Sequence, residues 1–470
     1  MAILTRDRGF YRSFFSLTGM IAFQNILAFS VNLADNLMLG AYSEISMSGV
    51  ALVNQIQFLL QMLVMGVGEG IVVLASQYWG RKDTAPIRRI VSIGLWFGLA
   101  SAMLLFAAVF FFPQGCLGLL TDETAVIGEG VRYLRIICFT YPLFAVTNVL
   151  LCSLRSVETV KIGFVVSAST LVINSCLNYV LIYGHFGAPE MGVQGAAVAT
   201  LISRAVECVI AVVYVARLDR KIRYRFREIF RIDRSLLRDY LRTGLPVILS
   251  NAMWGIAQAV QTSILGHLGQ APIAANSIAS TVFQILSVIV YGAASASSII
   301  MGKTIGEGRL NQARQYAKTL QILYLIIGIA TGTALFLLKD VILGFYEISP
   351  ETRALAVQFL TVLSVTVVGT AYQVAVLTGI VRGGGDTRFV LYNDTIFMWL
   401  VVIPSAALAA FVFHLPPLIV FICLKCDQVL KCLVAVVKVN RGNWIRQLTH
   451  PQKKGEEPDE RAVYSAEMGG

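Results

Sequence analysis

Apolar stretches of about twenty residues follow one another along almost the whole chain, separated by short polar segments. As helices rising about 1.5 Å per residue, such stretches span ~30 Å of hydrocarbon. Twelve are discernible, over 14–39, 50–76, 90–112, 133–153, 163–184, 193–216, 243–266, 275–300, 318–338, 355–380, 389–411 and 416–437. They run continuously rather than alternating apolar with polar, and only helices or closed barrels satisfy the backbone in lipid. The expected fold is an all-α integral membrane protein with about twelve transmembrane helices. The first stretch follows Arg6, Arg8 and Arg12 and runs on into Asn32, Asp35 and Asn36 without a small-residue cleavage site. It is therefore read as a retained span, not a signal peptide.

Composition agrees. Of 470 residues, 56% are hydrophobic and 14% charged, whereas a soluble surface needs about a quarter charged. The net charge of +11 does not point to nucleic acid, because it is spread over loops between spans. Lys and Arg gather after the even-numbered spans, as in Arg81, Lys82, Arg88 and Arg89, in the stretch 217–242, and in Lys453 and Lys454 near the end. The alternate loops hold Asp122, Glu129, Glu190 and Glu347, with Arg132, Arg135, Lys339 and Arg353 as exceptions. The positive-inside rule then predicts a multi-pass protein of the cell membrane with both termini cytoplasmic.

The chain also matches itself. Thr18-Gly19-Met20 aligns with Thr243-Gly244-Leu245, and Gly40, Gly66 and Gly80 fall on Gly266, Gly292 and Gly306 at one offset. Six crossings separate the copies, so they enter the membrane from the same side as parallel repeats, one of the secondary-transporter plans. The expected organisation is an N-lobe over 1–216, a basic cytoplasmic linker over 217–242, a C-lobe over 243–446 and a cytoplasmic tail over 447–470. A solvated amphipathic helix touching lipid headgroups is the form expected of the linker.

No phosphate loop is present, and Gly383-Gly384-Gly385-Asp386-Thr387 lacks its lysine and reads as a tight turn. Eight cysteines, including Cys423 and Cys426, read as small packing residues, and His185, His267 and His414 as unrelated loop histidines. No nucleophile–base or metal constellation suggests an enzyme, and no cofactor is expected. The informative residues are ionisable groups inside spans, each costing about 2.5–3.5 kcal/mol on insertion scales unless paired or hydrated. Asp35 lies late in span 1, with Asn32 and Asn36 on the same helix. There the low dielectric favours the neutral carboxyl unless a cation or donors offset it, which suits a proton or sodium carrier; a structural hydrogen-bond node is the competing reading. Glu69, between Gly68 and Gly70, could line a cavity or serve a local pairing role. Arg204 and Glu207 stand three apart and most simply neutralise each other. Lys425 and Asp427 face different directions and need partners elsewhere.

Several phrases resemble the multidrug and toxic compound extrusion (MATE) transporters over roughly residues 13 to 446. They are Ala34-Asp35-Asn36-Leu37-Met38-Leu39-Gly40, Ser76-Gln77-Tyr78-Trp79-Gly80-Arg81, Asn174-Ser175-Cys176-Leu177-Asn178-Tyr179 and the run from Gly192 to Thr200. Arg382 to Thr387 and Arg441-Gly442-Asn443-Trp444 supply the second half. The resemblance implies two six-helix lobes exporting small amphipathic, often cationic molecules against a Na⁺ or H⁺ gradient, with the bilayer as surroundings and a monomer as the expected form. It places the cation site on Asp35, Asn174, Asn178 and Thr200, a carboxylate with neutral oxygens that could hold Na⁺. Glu69, Asn32 and Gln261, the repeat partner of Asp35, are candidates for the substrate cavity. Some branches have an aspartate where Asn178 stands, a proline in span 1 where this chain reads Met20-Ile21-Ala22, or carboxylates in spans 7 and 10; none is matched here. Coupling through the N-lobe alone is the simpler expectation. The alternatives are a flippase for lipid-linked saccharide precursors, which would want several cavity cations, and a membrane scaffold, which has no need of Asp35.

Overall fold

A computed structural model describes residues 4–449 apart from Asp122, Ile232, Phe345, Glu347 and the side chain of Glu44. The loop acids Asp122 and Glu347, the tail beyond Thr449, and with it Lys453 and Lys454, lie outside the described residues. Among the described residues the chain is helical, with one isolated bridge between Gly385 and Ile445.

The helices run in the order α1 (Arg8–Tyr42), α2 (Glu44–Gly80), α3 (Thr84–Phe111), α4 (Pro113–Gly118), α5 (Thr124–Ile137), α6 (Thr140–Ser156), α7 (Lys161–Tyr183) and α8 (Val193–Val213). There follow α9 (Arg234–Gly266), α10 (Gln270–Gly306), α11 (Leu310–Gly344), α12 (Pro350–Val374), α13 (Thr387–Thr395), α14 (Ile403–Ala407), α15 (Pro417–Lys425) and α16 (Asp427–Arg441). Wider π-helical turns extend α12 over Ala375–Arg382 and flank α14 over Ile396–Val402 and Leu408–Val412. Nine of the described helices are long and apolar enough to cross a membrane. α5 and α6, bent by 53°, are together long and apolar enough to make a tenth.

The two remaining predicted spans are α9 and the pair α15–α16. Polar Asn251, Gln258 and Gln261 dilute the apolar half of α9, and the last span is broken at Cys426 into two shorter helices. The helix starts follow local chemistry. Ser43 accepts the amide of Ser46 at the head of α2, and Ser349 accepts that of Thr352, with Pro350 in the first turn of α12. Leu104, Phe111, Leu400 and Leu433 point outward and are largely exposed, which suits hydrocarbon and not water.

The chain forms two compact units. The N-terminal unit comprises Phe23–Ile248 with Thr449, and the C-terminal unit comprises the residues up to Ala22 with Leu249–Leu448. Both divisions fall inside long helices, α1 and α9, so each unit includes the opening turns of the other half's first helix. Glycine makes room for them. A Cβ on Gly66 of α2 would lie 2.6 Å from Ile248 Cα, and one on Gly292 of α10 would lie 3.0 Å from the Thr18 carbonyl oxygen. These are repeat-related positions, so the glycine match in the sequence marks one packing device used in each unit. Phe359 stacks on Phe421 at 4.1 Å within the C-terminal core. Leu39, Val53, Leu134 and Tyr141 belong to the core of the N-terminal unit.

The stretch 217–242 departs from the expected amphipathic helix. The Asp219 carboxylate accepts the amides of Lys221, Ile222 and Arg223 at 3.3, 2.9 and 3.0 Å, turning the chain after α8. The segment then lies along α3: Tyr224 and Ser92 share a hydroxyl contact of 2.9 Å, and Trp96 donates to the Ile229 carbonyl at 2.9 Å. Only a short 3₁₀ turn, Phe226–Phe230, forms before α9 begins. The glycine run before α13 is a tight turn, with Gly385 at φ +98°. It is clasped by the end of α16 and the chain after it: Lys438 of α16 pairs with Asp386 at 2.7 Å, Trp444 covers Gly384, and Arg446 N donates to the Gly384 carbonyl at 2.8 Å.

Candidate cation and substrate site

Asp35, Asn174, Asn178 and Thr200, far apart in sequence, are joined in the N-terminal unit by one chain of hydrogen bonds. Asn174 and Asn178 sit one turn apart on α7 with fully buried side chains. Asn178 Nδ2 donates to Asp35 Oδ1 on α1 and, at 3.1 Å, to Asn174 Oδ1. Asn174 Nδ2 in turn donates to Thr200 Oγ1 on α8 at 3.2 Å. Each acceptor fixes the orientation of the amide that donates to it, so Thr200 governs the donor that reaches Asp35 two links away.

One acceptor is left over. Asn178 Oδ1 is buried and has no hydrogen-bond donor. Buried acceptors are normally satisfied, and this one belongs to the side chain that donates to the Asp35 carboxylate. The donor set, all oxygen with one negative charge, fits a small hard cation or a proton on Asp35.

The far side of Asp35 faces a polar cavity. Asn32 and Asn36 line it from α1, and Asn54, Gln57 and Gln61 from α2. Tyr133 and Tyr141 close it from the bent pair α5–α6, while Thr200 and Arg204 come from α8. Sequence reasoning missed the α2 residues, whose spacing of three and four is the signal that one helix face is polar. It placed Arg204 in a pair with Glu207, and the pair is present at 2.7 Å, supported by Thr170 donating to Glu207 at 3.3 Å. The same guanidinium also borders the cavity and lies over the Phe144 ring.

The other candidates sit elsewhere. Glu69 is half-buried and does not line this cavity; its neighbours Gly68 and Gly70 pack against Cys152 of α6 and Gly244 of α9. Gln261 belongs to the C-terminal unit, where its amide contacts the Met398 sulfur at 3.1 Å. Asp427 finds its partner one turn on, at Lys431, and Lys425 lies over the rings of Phe283 and Phe421. Among the described residues no three His, Cys, Asp or Glu side chains gather as a metal-binding group.

A carboxylate inside a membrane helix is costly, and here neutral amides hold it at the edge of a polar cavity. The fold and this arrangement define a polytopic helical membrane transporter. The MatE family model matches residues 21–180 and 246–427, and the chain belongs to that family. It is 26% identical over 395 residues to the probable multidrug resistance protein NorM of Listeria monocytogenes serotype 4b (strain F2365), covering 84% of this chain and 86% of that one. Multidrug resistance protein MdtK of Pectobacterium atrosepticum is 26% identical over 388 residues, covering 81% and 83%. In fold, the chain is similar to the crystal structure of the eukaryotic MATE transporter AtDTX14, with a TM-score of 0.82 at 19% identity over 93% of this chain and 97% of that one.

Proposed function

We propose that this transporter is a secondary active exporter of small amphipathic cations, driven by inward Na⁺ or H⁺ movement, with Asp35 as the coupling carboxylate. The observation that carries the reading is the hydrogen-bonded series Asp35–Asn178–Asn174–Thr200, with the spare acceptor Asn178 Oδ1 next to the carboxylate's own donor. A cation or proton beside Asp35 removes an uncompensated charge and satisfies that oxygen, favouring one packing of α1 against α7. Substrate favours the other packing, so each promotes release of its competitor. Relatives named as multidrug resistance proteins support the substrate class.

The protein works as a monomer in the cell membrane with both termini in the cytoplasm, a topology motivated by the distribution of Lys and Arg. The described cavity offers one cation, Arg204, already engaged by Glu207, which favours export of cations over flipping of pyrophosphate-linked saccharides. Proteoliposomes loaded with ethidium test the reading. Efflux accelerated by an imposed Na⁺ or pH gradient supports antiport, and efflux indifferent to both overturns it.

A further inference from the structure

The segment between α8 and α9 sorts its charges by side. Over 217–242 it holds ten basic residues, nine of them arginine, and four acids. The acids are engaged on the protein's side. Asp219 holds three backbone amides, Glu228 lies 3.6 Å from Arg88 of α3, Asp233 lies 2.7 Å from Arg89, and Asp239 also has a partner. Arg225, Arg227, Arg231 and Arg234, which flank the 3₁₀ turn Phe226–Phe230 or lie within it, are exposed and make no ion pair among the described residues.

The adjoining loops do not neutralise them. Lys221 ties the segment to those loops, donating to the Val157 carbonyl at 2.7 Å and lying over the Trp79 ring. The acids there, Asp83 and Glu158, are engaged too, Glu158 by the Trp79 indole N–H at 3.3 Å. Arg81, Lys82, Arg155 and Lys161 outnumber them. The outward face is therefore cationic.

The same turn lies at the edge of an apolar span. Ser92 donates to the Glu228 carbonyl at 3.1 Å, and Trp96 to the Ile229 carbonyl at 2.9 Å. Trp96 stands about 9 Å along α3 from residue 90, where the apolar stretch 90–112 opens. The headgroup layer of each leaflet is about 5–8 Å thick, so the turn reaches the level where headgroups meet hydrocarbon. Trp96 and Phe230, 45% and 79% exposed, supply the aromatic character of that zone. At this depth the arginines face phosphates. Their planar forks match phosphate oxygens in pairs and are more weakly hydrated than an ammonium.

We propose that residues 225–234 form a docking strip for anionic phospholipid, in which Arg225, Arg227, Arg231 and Arg234 hold headgroup phosphates and the rings of Phe230 and Trp96 meet the upper acyl chains. The leaflet it occupies rests on the cytoplasmic topology proposed above. The binding itself does not, and it is read in bilayers whose two leaflets are alike.

Trp96 reports the lipid at the strip. The full-length protein is reconstituted in phosphatidylcholine bilayers containing phosphatidylglycerol, with one lipid or the other carrying brominated acyl chains. The difference in quenching between wild type and Trp96→Phe isolates this indole. Brominated phosphatidylglycerol should quench it several-fold more than its share of the bilayer predicts, and the preference should fall as salt rises. Each arginine near an anionic surface contributes about fivefold. Arg231→Gln alone should therefore weaken the preference about fivefold, and Arg225→Gln with Arg227→Gln and Arg231→Gln should bring it to the bulk ratio. Lysine at the same three positions should keep part of it. Arg314→Gln with Lys318→Gln, exposed on α11, should leave it unchanged, and thermal melting confirms that each variant is folded. Equal quenching by both lipids in wild type, or a preference untouched by the glutamine variants, overturns the proposal. Displacement of the brominated lipid by inorganic phosphate or an oligonucleotide at constant ionic strength would assign the arginines to a soluble anion and overturn it too. Wild-type vesicles that lack gradient-driven ethidium efflux while keeping the lipid preference would instead overturn the exporter reading and leave the strip standing.

Discussion

Thr200→Val isolates the orienting role of a residue that makes no direct hydrogen bond to Asp35 in the structure. Valine keeps the shape but deletes the oxygen that accepts Asn174 Nδ2 at 3.2 Å. Asn174 is fully buried, so its amide donor is left without a partner, at a cost of about 1–3 kcal/mol. The amide can relieve this only by rotating, which turns its NH₂ toward the NH₂ of Asn178 and breaks the 3.1 Å bond between them. Either way the Asn178 donor at Asp35 is no longer held. If that energy is drawn from cation binding, apparent affinity for the coupling ion falls roughly 5- to 150-fold. The assay is the half-saturating Na⁺ or H⁺ concentration for ethidium efflux from proteoliposomes. Thr200→Ser, which restores the oxygen, should return it close to wild type. A Thr200→Val protein with unchanged half-saturation for both ions would show that the hydrogen-bonded series does not set the ion site.

Packing and topology give further expectations. Gly66→Ala and Gly292→Ala drive a methyl into backbone at 2.6 and 3.0 Å and should each lower stability by about 1–3 kcal/mol, seen as a lower melting temperature in detergent. Gly19→Ala has open space around it and should be neutral or stabilising. Trp444→Ala removes the buried indole that covers Gly384; it should weaken the clasp by about 3–5 kcal/mol, measured as faster hydrogen exchange over residues 441–448. A cysteine replacing the exposed Phe230, in a cysteine-free background, should react with impermeant maleimide in inside-out vesicles only; labelling of intact cells would reverse the topology.

The spans and the carboxylate of the proposed ion site stood out because both depend on local cost. A continuous apolar run has one stable form in lipid, and Asp35 stands out as a charge in such a run. Lys431 and Asp394 escaped notice because their pairing is tertiary: α13 and α16 meet only in the folded unit, and the sequence offers Asp427 with a lysine on either side. The form of 217–242 was hidden for a related reason. Its arginines suggest a solvated helix, but Asp219 turns the backbone, and Ser92 and Trp96 of α3 then hold the carbonyls of Glu228 and Ile229. Gly66 and Gly292 were visible as a repeat, yet that each admits the first helix of the other half required the packing to be seen. Gln261, the repeat partner of Asp35, contacts the Met398 sulfur, so the internal repeat carries the scaffold across without carrying the same side-chain chemistry.

The most direct measurement is ethidium efflux by Asp35→Asn protein in proteoliposomes under an imposed Na⁺ or pH gradient, alongside ethidium binding by the same protein in detergent. Asparagine keeps the size of the side chain and deletes its charge, so the variant should fold and bind ethidium while efflux no longer responds to either gradient. Efflux near the wild-type rate under the same gradient would contradict the assignment of Asp35 as the coupling carboxylate.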